Sequence, residues 1–274
     1  MLKIGIIGIG FVGNAIKTCL ENKNIKVLCY DKYKKYDKFY NILISDIIFL
    51  ALPTPYCEKN QCFDKSSIID TCRMLSSFNY NGVVVIKSTV ETHTTNILSN
   101  KFSSLQFIHN PEFLSAKTAI EDFENQTHII IGKSYNINYK SLNKLYNFYT
   151  TYFPKSDISI CSSEESETMK LFVNSFYSVK VQFFNELYDF SIKNKLDFEK
   201  IRELMLKNNW INPMHTQVPG PDGKLSYGGA CLPKDSKALL SLMKSSNCHY
   251  YILQSSIKEQ SIMRNNCFDE INFI

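Results

Sequence analysis

The 274-residue chain is longer than one typical core and points to about two domains, and its 44% hydrophobic and 21% charged residues are those of an ordinary globular protein. A net charge of +5 suits anionic substrates, but the densest basic stretch, "DKYKKYDK" at 31–38, is broken by aspartates and argues against a nucleic-acid arm. Nine cysteines with no CxxC pair and no Cys/His metal spacing argue against a metal centre and fit the reduced thiols of a cytoplasmic protein; no apolar run approaches a membrane span, and the glycine-rich start is no signal peptide.

In chain order, "KIGIIGIG" (3–10), "KVLCY" (26–30), "DIIFLAL" (46–52), "GVVVIKS" (82–88), "LQFIHN" (105–110) and "THIIIG" (127–132) read as strands. Such unbroken apolar runs are expected of strands buried on both faces of a parallel sheet. "NAIKTCLENK", "SSIIDTCRMLSSF" and "TTNILSNKF" fit the helices between them, and "KSLNKLYNFYTTYFP" with "ISICS" adds a last helix and strand. This alternation predicts an α/β, Rossmann-type doubly wound parallel sheet over residues 1–160. From Glu164 to about Asn194 the pattern is one long helix, capped by Ser162 or Ser163 and acidic in its first turn. It lacks Gly and Pro and is apolar on several faces, so it is expected to be central and buried. A helix over "DFEKIRELMLKNN", a loop through "INPMHTQVPGPDGKLSYGG" and a helix from about Asp235 complete an all-helical domain, 161–274.

Two stretches carry chemistry. "GIGFVG" places Gly8, Gly10, Phe11, Val12 and Gly13 at the end of a predicted strand and the start of a predicted helix, and the second strand ends in Asp31. The glycines permit a tight turn and close approach of a pyrophosphate to the helix N-terminus, while Asp31 can hold a ribose diol. A glycine turn with no ligand is the bland alternative. Asp31 favours NAD over NADP because a carboxylate repels a 2′-phosphate, and the adjacent Lys32 softens that preference. The second stretch, "YGGACLPKDSKALL" from Tyr227 to Leu240, gathers Cys231, Lys234 and Asp235 within five residues. It is either a glycine turn capping a helix around a buried thiol, or a nucleophile with supporting charges.

With "DIIFLALPTP", "VVVIKSTV", "HNPEFLSAKTAIEDF" and "ETMKLFVNSFYSVKVQFFNELYDF" in between, these blocks occur in an order that resembles the UDP-glucose/GDP-mannose dehydrogenase family. That family oxidises a nucleotide sugar's 6-hydroxyl to a carboxylate with two NAD⁺. The resemblance implies Cys231 as the nucleophile that traps the aldehyde as a thiohemiacetal, oxidised next to a thioester. It implies Lys170 and Asn174, one helical turn apart, as oxyanion donors, with Asn174 also touching substrate. Glu112 would handle water and thioester hydrolysis, and Asp235 would support the lysine or that same water. Thr54, Thr89 and Lys234 match cofactor-side positions, Thr89 also matching a holder of the catalytic water, and Phe113, Leu114, Tyr227 and Gly228 match places where the sugar is held. Threonines at strand ends are also common caps. Asn185 returns to the face of Lys170, or else bonds neighbouring backbone. A homodimer is expected by the same resemblance, with a nucleotide sugar as the small-molecule partner, no membrane, no nucleic acid and no metal.

Three departures stand out. A second family glutamate is replaced by Ala116, followed by Lys117. The link from Asp31 to "DIIFLAL" is short. Family members continue into a third, α/β domain that contacts the nucleotide, and an arginine they often bring in from a neighbouring subunit has no clear match, with His215, Asp222 and Lys224 as substitutes that also read as solvated turn residues. A two-electron enzyme like 6-phosphogluconate dehydrogenase would explain Lys170 and Asn174 but not "GGACLPKD". An NAD-binding paralogue without activity, or a half-enzyme needing a partner chain, is the non-catalytic alternative.

Overall fold

The computed structural model describes residues 2–115 and 117–265. The apolar runs of the first half form β1 (Ile4–Ile7), β2 (Val27–Tyr30) and β3 (Ile47–Leu50), with α1 (Phe11–Asn22) and the short α2 (Phe39–Ile42) between them. A separate two-stranded sheet of β4 (Tyr56–Cys57) and β5 (Cys62–Phe63) follows, then α3 (Ser66–Ser77), β6 (Val83–Ile86), α4 (Thr94–Lys101) and β7 (Gln106–His109). Next come α5 (Ala119–Glu124), β8 (His128–Lys133), α6 (Tyr139–Tyr152) and β9 (Asp157–Ser162). The main sheet has the order β2-β1-β3-β6-β7-β8-β9. Strand order reverses at β1, and in such sheets the crevice outside the carboxyl ends of the strands at that switch is where ligands bind.

Packing explains why these strands read as unbroken apolar runs. In β3, Ile47 and Phe49 join one core cluster with Ile6, Ile16 and Phe148, while Ile48 and Leu50 join another with Ile7, Ile68 and Phe107. β6 divides likewise, Val83 and Val85 to one face, Val84 and Ile86 to the other. Both faces are covered, so alternation disappears.

One expectation is corrected. The sheet is not parallel throughout: β8 pairs antiparallel with β7, in the register Ile108↔Lys133, and then parallel with β9. The intervening α5 is six residues long, which spans about 9 Å at 1.5 Å per residue.

Backbone proximity separates two units, one holding residues up to Cys57 and from Phe63 to Lys170, the other Glu58–Cys62 and the residues from Leu171 on. The long α7 (Ser163–Lys193) starts in the first and continues in the second, which also holds α8 (Phe198–Leu206), α9 (Leu232–Ser245) and α10 (Tyr251–Asn265). Asp197 caps α8, its side chain accepting from the Lys200 N–H. α9 begins before Asp235 because Pro233 stands in its first turn, where a missing N–H costs no helical bond. α7 is not buried all round. It buries Ser175, Ser178, Gln182, Phe184 and Asn185, yet leaves Phe172, Phe176, Phe183 and Phe190 exposed. No helix among the described residues is long and apolar enough to cross a membrane.

Candidate active site

The glycine turn follows β1 directly, and its three glycines stand there for different reasons. Gly8 has φ +91°, and a Cβ on it would lie 2.5 Å from the Ala51 carbonyl oxygen. A Cβ on Gly13 would lie 1.9 Å from the Gly8 carbonyl oxygen, so the start of α1 sits on the turn without room for a side chain. Gly10 has neither constraint: φ is −83° and a Cβ would meet nothing within 4 Å. Its bare backbone faces open space, which suits close approach of a ligand. A cavity of about 510 Å³ opens there, lined by Gly10, Phe11 and Asn14, by Lys34, and by Lys117 and Thr118. Asp31 braces the turn, its carboxylate accepting from the Ile9 N–H at 2.8 Å and the Tyr33 N–H at 2.9 Å. Lys34 donates to the Ile9 carbonyl. Val12 packs on the core instead of lining the cavity. A bare turn, an acid at the end of β2 and a cationic cavity wall fit a dinucleotide's ribose and pyrophosphate.

Beyond β6 and β7 lies a buried polar cluster of the same unit. Lys170 of α7 donates to the Glu112 main-chain oxygen at 2.6 Å, stands 3.4 Å from the Glu112 carboxylate and lies 5.1 Å from the Phe113 ring centre. The Glu112 carboxylate also accepts from the Leu114 N–H at 2.7 Å, which fixes the "PEFL" turn from within. Lys87, missed in the sequence, supports that turn from below. It is 2% exposed and donates to the Asn110 side chain at 2.9 Å and the Pro111 carbonyl at 3.3 Å. Burial pushes its pKa down to about 7, Lys170 pushes the same way, and Glu112 opposes both. Asn110 in turn donates to the Ile130 carbonyl and accepts from the Tyr149 hydroxyl. Burial, together with Lys87 and Lys170, holds His109 neutral with a pKa of about 3, its Nδ1 2.7 Å from Ser166 Oγ. The only sign of Lys87 in the sequence was a lysine closing an otherwise apolar strand. Thr54 and Thr89 are buried and joined to each other, the Thr54 hydroxyl donating to the Thr89 carbonyl at 2.8 Å.

The second unit holds the other cluster. Asp235 is completely buried, with Asn174 donating to one carboxylate oxygen at 2.6 Å and Lys234 to the other at 2.5 Å. Ser178 and Ser236, hydrogen-bonded at 2.8 Å, extend this contact between α7 and α9. Cys231 is the N-cap residue of α9 and is exposed. Asn185 bonds neighbouring backbone, as one of its two readings had it: its amide donates to the Val181 carbonyl and its oxygen accepts from the Ser226 N–H. Tyr227 is buried, and burial raises its hydroxyl pKa. The space left by the missing side chain of Gly228 is taken by Arg264, whose guanidinium atoms would lie 2.6–2.9 Å from a Cβ. Asp222 pairs with the same arginine at 2.5 Å, while His215 stacks on Tyr177 with ring centres 4.5 Å apart. Ala116 lies outside the described residues. Among the described residues no group of His, Cys, Asp and Glu has the make-up of a metal site.

Comparison with known proteins finds two domains of one family in the chain. Residues 34–150 match the NAD binding domain of the UDP-glucose/GDP-mannose dehydrogenase family, and residues 164–260 match its central domain. The first match starts beyond the glycine turn, whose reading therefore rests on its own geometry. The UDP-glucose 6-dehydrogenase of Campylobacter jejuni is 31% identical over 272 residues, covering 87% of this chain and 67% of that protein. The UDP-glucose 6-dehydrogenase of Rickettsia prowazekii is 28% identical over 300 residues, covering 97% of this chain and 66% of that protein. The chain thus spans about two thirds of the length of these relatives. A UDP-glucose dehydrogenase from Pyrobaculum islandicum shares the fold with a TM-score of 0.84 at 20% identity, over 96% of this chain and 68% of that one.

Proposed function

The chain belongs to the UDP-glucose/GDP-mannose dehydrogenase family, and on that premise we propose that it oxidises the 6-hydroxyl of a nucleotide sugar to a carboxylate. The relatives from Campylobacter jejuni and Rickettsia prowazekii are UDP-glucose 6-dehydrogenases, which makes UDP-glucose the substrate to offer first. The observation that carries the reading is the buried Asp235, held from both sides by Asn174 and Lys234 four residues after the exposed thiol of Cys231.

The reaction balances as alcohol, two NAD⁺ and one water giving carboxylate, two NADH and three protons. Bound NAD⁺ would supply the hydride acceptor for each of the two oxidations. Gly10 and Phe11 of the cavity wall, with Asp31, Thr54 and Thr89, are the residues that would hold it, while Gly8 and Gly13 keep the turn tight and Val12 packs beneath it. Cys231 Sγ adds to the C6 aldehyde carbon, so that the second oxidation leaves a thioester on the chain and not a free hydrate. By the resemblance, Lys170 and Asn174 would supply a fixed cation and an amide donor for the charge that develops on the C6 oxygen. By the resemblance, the Glu112 carboxylate would take a proton from the water that displaces the thiolate, and Asp235 keeps Asn174 and Lys234 in place. The family resemblance would assign Phe113, Leu114, Tyr227 and Gly228 to the sugar.

The exposed aromatic side of α7, with Phe172, Phe176, Phe183 and Phe190, is the kind of patch that marks an interaction surface and supports a homodimer. The test is purified chain with NAD⁺ and a panel of nucleotide sugars, following NADH by absorbance and the sugar by mass spectrometry. Two NADH per uronic acid is the expected result. One NADH per sugar indicates a two-electron dehydrogenase, and NAD binding without NADH from any sugar sinks the enzymatic reading.

A further inference from the structure

Ser226 stands just before the Tyr227–Gly228–Gly229 turn and has φ +58°, a left-handed conformation that a serine adopts at a cost. All its polar groups are engaged. Its N–H donates to Asn185 Oδ1 at 2.7 Å and its hydroxyl to Gln182 Oε1 at 2.6 Å, both on α7. Its carbonyl accepts from Arg264 Nη2 of α10 at 2.7 Å. Arg264 Nη1 reaches the Asp222 carboxylate at 2.5 Å, and Gln260, one turn earlier on α10, donates to the Tyr227 carbonyl at 3.1 Å. The guanidinium therefore lies over Gly228 and closes a fork around the loop from 222 to 228. Gly229 follows at φ +78° with open space where a Cβ would be, and Cys231 stands two residues further on.

A strained residue persists only where its surroundings over-determine it. Here two helices hold Ser226 from two sides, and the segment they fix runs straight to the thiol. We infer that Arg264, assisted by Gln260, is a positioning residue for Cys231: α10 clamps the 222–229 loop and thereby sets where the thiol stands. The inference rests on the proposed role of Cys231 as nucleophile. An arginine is suited to the task because its planar fork spans a carboxylate and a carbonyl at once, which a lysine ammonium cannot do in the same geometry.

Two measurements on the full chain test it, using Arg264→Lys, Arg264→Ala and Asp222→Asn. The first is the rate of Cys231 alkylation by iodoacetamide, resolved by peptide mass spectrometry, alongside hydrogen exchange of residues 222–231. Both Arg264 variants are expected to change the alkylation rate at least about threefold and to speed exchange in the loop, with α7 unaffected; Asp222→Asn, which keeps the bond to the Ser226 carbonyl, falls between them and the parent. The second is turnover of UDP-glucose with NAD⁺, where a thiol displaced by about 1 Å lowers kcat by roughly tenfold to a hundredfold while KM for NAD⁺ stays within about twofold. Unchanged alkylation and exchange in folded Arg264→Ala overturn the clamp. A loss of melting temperature with kcat unchanged overturns it as well, by making Arg264 merely structural. If the parent turns over no nucleotide sugar, the functional reading fails, and the alkylation and exchange data still decide the clamp.

Discussion

Lys170 and Glu112 meet twice, through a 2.6 Å bond from Nζ to the glutamate main-chain oxygen and a 3.4 Å approach to its carboxylate. The lysine therefore fixes the turn that presents the acid and also balances its charge. Lys170→Met should lower kcat with UDP-glucose by about 10²–10³-fold, the usual consequence of removing a fixed donor from an oxyanion site. It should also destabilise the fold by about 3 kcal/mol by leaving a carboxylate unpaired in a buried site. Thermal melting and steady-state kinetics separate the two effects, and a variant with wild-type kcat would remove Lys170 from the chemistry.

The glycine turn offers a cleaner division between folding and binding. Gly13→Ala drives a Cβ to 1.9 Å from the Gly8 carbonyl oxygen and should cost about 3 kcal/mol or more. Gly10→Ala meets nothing in the chain, so its melting temperature should stay within about 2 °C of the parent. NAD⁺ affinity, read by fluorescence titration, should nevertheless fall by about tenfold, since the methyl group occupies the approach to the cofactor. Equal NAD⁺ affinity in Gly10→Ala would show that the cofactor's phosphates do not pass over this residue.

The first unit was legible where local pattern and burial agree. Ile47 to Leu50 could be read as a strand because both of its faces are covered and every position must be apolar. The antiparallel β8 was not legible, since "THIIIG" is an apolar run that reads the same in either strand direction. α10 escaped notice because "YILQSSIKEQSIMRN" carries a weak apolar stripe. The long α7 misled in another way: its abundant phenylalanines suggest a helix buried all round, yet its buried side takes serines, Gln182 and Asn185 beside Leu171 and Phe184, and four phenylalanines face outward. Of the site, Cys231, Glu112, Lys170, Asn174 and Asp235 announce themselves through motif order. Arg264 does not, since its partner Asp222 is 42 residues away and only tertiary packing joins them.

The role of Cys231 has a stoichiometric signature. Serine is too poor a nucleophile and leaving group to carry a thioester-like step, so Cys231→Ser should stall after the first oxidation. Rapid mixing with UDP-glucose should release about one NADH per active site and then slow by roughly 10³-fold. Mass spectrometry should find the aldehyde or its hydrate in place of the uronic acid. Sustained production of two NADH per sugar by this variant would refute covalent catalysis by the thiol.

A last prediction concerns stability and pH. Glu167 of α7 is buried in the first unit, where its Oε1 accepts from the Thr95 N–H at 2.7 Å and the Thr95 hydroxyl at 2.6 Å. Burial raises its pKa from 4.5 to about 7, against the bonds from Thr95 and the His93 backbone, while the Glu164 charge adds to the rise. Below about pH 4.5 the carboxyl is protonated in the folded and unfolded chain alike, and folding feels no penalty. Between that point and about pH 7 the unfolded chain ionises while the folded one keeps its proton, so stability falls as pH rises. At about 1.4 kcal/mol per unit of pKa the full loss is on the order of 3 kcal/mol, complete above pH 7. Glu167→Gln keeps the acceptor for Thr95 and cannot ionise. Melting temperatures of parent and variant should therefore converge near about pH 4.5 and separate by about pH 8, with the glutamine form the more stable. Parallel curves across that range would show that Glu167 ionises normally inside the fold.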